Sequence, residues 1–179
     1  MKKLLLIGLA ALGVVALSGC DMIQNLISGE KEYNYADFKA LLADRKLSFD
    51  ATKCTSEIDV DGEKETREYT YDADDDTWRY SYKEAGIDWN GTRALDLVGQ
   101  IQSLEFSVAL LNKKVDDLCK FYATSDSYRY TATYESKSTK AEAEYKFGKD
   151  GLMTYSYEKN TDLDAIKSTI TKETFSYSK

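Results

Sequence analysis

Cysteines, carboxylates and tyrosines are the chemically active side chains of this 179-residue chain, and histidine is absent. Without histidine there can be no Ser–His–Asp triad, Cys–His dyad or histidine metal site. The densest acidic segment, Asp72-Ala73-Asp74-Asp75-Asp76, invites a calcium reading. An EF-hand loop beginning at Asp72 needs glycine where Thr77 stands and glutamate where Lys83 stands, so the run reads as a solvated turn. Asp59, Asp61 and Glu63 read the same way, as the wet end of a strand. Paired carboxylates could perform acid–base chemistry on a glycoside. Among 31 acidic residues, though, pairs arise by chance and none lies in a motif. The expectation is a protein that is not an enzyme and carries neither cofactor nor metal.

The fourteen tyrosines are the unusual feature. Tyr69, Tyr71, Trp78, Tyr80, Tyr82, Tyr155 and Tyr157 fall on alternating positions of strand-like segments. Alternation puts them on one face, which leaves two readings. They fill a core under helices, or they line a groove for a lipid, peptide or glycan.

One cysteine has a distinct setting. Lys2 and Lys3 precede an apolar run, Leu4 to Leu17, of signal-peptide length and too short for a comfortable membrane span. It ends in Leu17-Ser18-Gly19-Cys20, which resembles the lipobox of bacterial prolipoproteins. That resemblance covers the first twenty residues. It implies removal of a signal peptide, residues 1–19, and acylation (palmitate and related chains) of Cys20. Several acyl chains hold a protein on a membrane where one does not, at about 0.8 kcal/mol per buried methylene. Asp21 resembles the residue that retains enterobacterial lipoproteins at the inner membrane. The expected location is therefore the cell envelope, on the extracytoplasmic side, with the inner membrane favoured.

With Cys20 acylated, Cys54 and Cys119 remain. In an oxidising compartment they suggest one disulfide, contributing roughly 4 kcal/mol; the alternative is two buried free thiols. Loss of Lys2 and Lys3 takes the net charge from −7 to −9. That argues against nucleic acid and against an electrostatic grip on anionic lipid. Proline is absent, so no proline-rich spacer exists.

The remaining residues must form the elements that position these side chains. A tether occupies residues 20–33, and a single ectodomain residues 34–179. Asn34 can cap a helix bearing Tyr35, Phe38, Leu41 and Leu42, ending near Lys46. Strands follow over Ser56–Val60, Glu63–Tyr71 and Trp78–Lys83, with Asp61-Gly62, the acidic run and Asn90-Gly91 as turns. From Thr92 to Tyr122 apolar residues recur every three or four positions, predicting helix with a break near Asn112. Strand periodicity returns over Tyr128–Tyr134, Ala141–Phe147 and Leu152–Glu158, with Met153, Tyr155 and Tyr157 on one face. Thr161 to Ser168 reads as a short helix or crossover, and Thr169 to Tyr177 as a last strand.

The predicted fold is α+β, a curved antiparallel sheet of about six or seven strands, half-barrel-like, with helices on one face. In element order and lipid anchor it resembles the half-barrel carriers of periplasmic lipoproteins and their mycobacterial lipid-binding relatives. That resemblance implies a cavity for acyl chains, and hence a non-enzymatic binding protein for a lipid or other hydrophobic ligand. The alternative is a structural or interaction lipoprotein with a filled core and a protein partner. The two readings differ in whether the space between helices and sheet is empty or packed.

Overall fold

The structure, a computed structural model, describes residues 29–84 and 87–179; the signal segment and Cys20 lie outside them. A three-residue strand, β1 (Lys31–Tyr33), already interrupts the stretch expected to be tether. Asn34 caps α1 (Tyr35–Arg45), its side-chain oxygen accepting the Asp37 N–H at 2.9 Å, and Lys46 ends the helix at φ 48°. Four strands then form a meander: β2 (Lys53–Val60), β3 (Glu63–Asp72), β4 (Thr77–Glu84) and β5 (Ile87–Arg93). Asp61 and Gly62 make the first turn, both at positive φ, as the Asp-Gly signal predicts.

Helix α2 (Leu97–Leu110) and the single turn α3 (Val115–Leu118) carry the chain back across the sheet. Asn112, at φ 52°, separates them where the break was expected. The second meander comprises β6 (Cys119–Ala123), β7 (Ser127–Glu135), β8 (Thr139–Gly148), β9 (Met153–Asp162) and β10 (Lys167–Ser178). All ten strands join one antiparallel sheet in the order β1-β6-β7-β8-β9-β10-β2-β3-β4-β5. β10 therefore joins the two meanders, pairing with β9 on one side and β2 on the other.

The α+β class with an antiparallel sheet stands as expected, but the strand count does not. The three further strands are β1, β5 and β6. β1 is too short to show a period. β6 is an apolar run that continues the helical pattern before it. β5 contains Asn90-Gly91, which the sequence marks as a turn. Gly91 serves packing there instead, because a β-carbon on it would lie 2.6 Å from the Tyr80 ring. Residues 163–166 form a plain turn between β9 and β10, not a helix.

The helices cover the β6–β8 half of one sheet face. Phe38 of α1 stacks on Phe121 of β6 at 4.9 Å, and Leu97 and Ile101 of α2 belong to the same buried cluster. Over β3 and β4 the loop residue Phe49 takes the place of a helix, packing on Tyr71 and Trp78.

Candidate functional site

The face that the helices cover is aromatic at its ends and polar along its middle. Registers place Cys54, Ser56 and Ile58 of β2 beside Tyr177, Phe175 and Glu173 of β10, and Cys54 beside Tyr69 of β3. Tyr69 and Tyr71 lie opposite Tyr80 and Trp78 of β4, and these lie opposite Gly91 and Arg93 of β5. Arg93 reaches Glu173, their side chains 2.5 Å apart, and Tyr69 donates its hydroxyl to the same carboxylate at 3.2 Å. β2, β3 and β4 stand between β5 and β10, so the contact crosses four strand spacings, about 19 Å along the sheet. An extended arginine and glutamate cannot span that on a flat sheet, so this face is concave.

Two smaller polar contacts adjoin the pair. Tyr145 of β8 donates to Glu158 of β9 at 2.9 Å, and Tyr130 of β7 donates to Gln100 of α2 at 3.1 Å. Burial holds the Tyr145 hydroxyl well above its ordinary range, and the neighbouring Glu158 carboxylate adds to the effect. Burial opposes the charge of Arg93, but the Glu173 carboxylate outweighs it and keeps the guanidinium firmly protonated. Ser56 Oγ and Trp78 Nε1 are buried without a hydrogen-bond partner among the described residues.

The seven aromatic residues singled out by alternation divide into three groups. Tyr69, Tyr71 and Trp78 are core: Trp78 packs against Tyr71 at 5.3 Å and Tyr177 at 5.5 Å. Tyr155 and Tyr157 lie on the opposite face, which corrects the expectation that they continue from Met153. A β-bulge between Lys146 and Phe147 shifts the β8–β9 register, pairing Phe147 with Met153 but Lys146 with Tyr155. Met153 is fully buried as a result, and Lys146 lies over the Tyr155 ring from outside at 5.1 Å.

Tyr80 and Tyr82 form the third group, and a residue the sequence did not mark completes it. Trp89 of β5 stacks on Tyr82 at 6.4 Å and 15°, and Tyr82 stacks on Tyr80 at 6.2 Å and 19°. Arg67 lies over both tyrosines, 5.1 Å and 4.9 Å from the ring centres. The row ends at the sheet edge, where Trp89 is 48% and Ile87 58% exposed. Among the described residues no strand pairs with β5 on its outer side.

The disulfide expected between Cys54 and Cys119 is not formed; both are buried free thiols. They lie on β2 and β6, with β10, β9, β8 and β7 between them in the sheet. A bridge needs Cα atoms within about 7 Å. Burial pushes each thiol up to about 11.

The acidic run is a turn held by its own groups. Asp72 accepts the backbone N–H groups of Asp74 and Asp75 and pairs with Arg79 at 2.6 Å. The Asp74 N–H comes first among the contacts that hold the Asp72 carboxyl below its usual range. Among the described residues no group of three or more acidic or cysteine side chains could hold a metal ion.

Between helices and sheet, Phe38, Leu97 and Ile101 pack into one buried cluster with Phe121 and Tyr130. An apolar hollow of about 150 Å³ remains between the end of α2 and β7–β8, lined by residues that include Leu104, Leu111, Ala132 and Ala143. A larger cleft of about 860 Å³ opens at the rim, lined by residues that include Arg45, Lys46, Tyr128 and Lys149. No family model matches the chain, and neither does a curated protein or a solved structure.

Proposed function

We propose that this chain is an envelope lipoprotein, held through acylated Cys20, that works as a non-enzymatic interaction module and takes a protein strand along the open edge of β5. One observation carries the reading. β5 is a seven-residue edge strand whose inner face ends in exposed Trp89 and Ile87. Natural sheets blunt such edges with charge, proline or a covering element, and tryptophan is enriched among residues that dominate interfaces. An added strand would extend the sheet beyond β5 and cover both side chains.

The lipid-carrier reading draws less support. Ligand pockets run from about 300 Å³ upward, and the apolar hollow is half that. Of the aromatic residues expected to line it, Tyr69, Tyr71 and Trp78 are committed to the core, Tyr80 and Tyr82 to the row with Trp89, and Tyr155 and Tyr157 to the opposite face.

The anchor and the edge are tested separately. Cells fed labelled palmitate should label the native chain, and Cys20→Ala should abolish the label and release the protein from membranes. A photoreactive side chain at position 89 of the tethered protein should give a light-dependent protein adduct. The same probe at position 137, in the turn after β7, should give none. Equal yields from the two positions would discard the edge as the docking face.

A further inference from the structure

We infer that the strand taken by β5 is β5 of a second copy of this chain, in an antiparallel pair centred on Asn90. The inference rests on the edge-docking reading and names its partner. A twofold pair is self-complementary, so each residue meets a fixed counterpart. Centring on Asn90 uses all seven residues of β5, Ile87 to Arg93. Ile87 then faces Arg93, Asp88 faces Thr92, Trp89 faces Gly91, and Asn90 faces its own copy. No charge meets its like. Centring on any other residue shortens the pairing and leaves at least two residues of β5 unopposed at one end. A slip of one strand by a single residue against the other moves the centre between two residues and sets the inner face of one copy beside the outer face of the other, which a twofold axis perpendicular to the sheet does not allow.

Trp89 faces the one residue of β5 with no side chain. Gly91 is not empty space, however, because the Tyr80 ring lies across it. The incoming indole therefore meets an aromatic surface and extends the row of Tyr80, Tyr82 and Trp89 across the twofold axis. The other sheet edge offers nothing comparable: β1 has three residues, two of them the exposed Lys31 and Glu32. A single strand pair is a small interface, but tethering both copies to one membrane raises their effective concentration.

The test uses the full-length tethered protein in its own membranes, with Asn90→Cys and mild oxidation. Directly opposed Cα atoms in an antiparallel pair are about 4.5–5.5 Å apart, within the range a disulfide accepts, about 4.4–6.8 Å. Cys54 and Cys119 are buried and contribute little background. Asn90→Cys should give a reducible dimer at least about tenfold above Lys137→Cys, whose position lies away from the edge. Adding Trp89→Lys, with folding verified by circular dichroism, should return the yield to the control. Dimer no more abundant than in Lys137→Cys would overturn the second-copy assignment. If a probe at position 89 then captures a different protein, the edge-docking reading survives; if it captures nothing, both fall.

Discussion

Arg93 holds the middle of the concave face together. Its charge is satisfied by a carboxylate that is itself almost wholly buried, four strands away. Removing one member of such a pair leaves the other charge stranded, at about 3–5 kcal/mol. Arg93→Met should therefore lower the urea midpoint strongly. Arg93→Met with Glu173→Leu should recover most of the loss, because apolar residues can replace a buried pair. If the single variant unfolds no earlier than the double, the pair does not hold the face. The buried thiols give a second prediction. Their folded pKa, about 11, exceeds the ordinary value, so the native state holds these protons more tightly. That stability is complete below about pH 9 and is lost as pH rises through 11, at up to about 3 kcal/mol per thiol. Alkaline denaturation should steepen over that window. Iodoacetamide at pH 8 should label neither cysteine until urea unfolds the protein.

At the scale of elements, what could be read depended on whether a signal was local. Asn34, Asp61-Gly62 and Asn112 act through their own backbone angles and neighbouring N–H groups, so their sequence positions suffice. The division of the aromatic residues was not legible, because it depends on partners distant in the chain. The bulge that turns Tyr155 outward exists only in the β8–β9 register. Asn90-Gly91 shows the same limit: a turn signal was overruled by the Tyr80 ring on the adjacent strand. Trp89 carried no signal of its own, and β4 and β5 had to be paired before its place in the row appeared. Arg93 and Glu173 lie 80 residues apart and no motif links them. A mutation tests the packing role of Gly91. Gly91→Ala should push the Tyr80 ring aside and cost about 1 kcal/mol. Weaker near-ultraviolet circular dichroism from the aromatic row should accompany it. An unchanged spectrum would mean that the ring does not depend on the glycine.

Among the described residues, the two meanders pair with each other only through β10 and β2. Without residues 167–179, β9 and β2 would become open edges and Glu173, Phe175 and Tyr177 would leave the core. Truncation before Lys167 should abolish cooperative urea unfolding, whereas a surface change in the 163–166 turn should leave it intact. A truncated chain that still unfolds in one sharp transition would show that the first nine strands are self-sufficient. The same join sets an order in time. Tyr69 must find Glu173, 104 residues later in the chain, and such distant contacts slow folding. A polypeptide emerging amino end first thus presents β2 with no neighbour on that side until Lys167–Ser178 has appeared. Its final segment then slots between the two halves and completes the sheet.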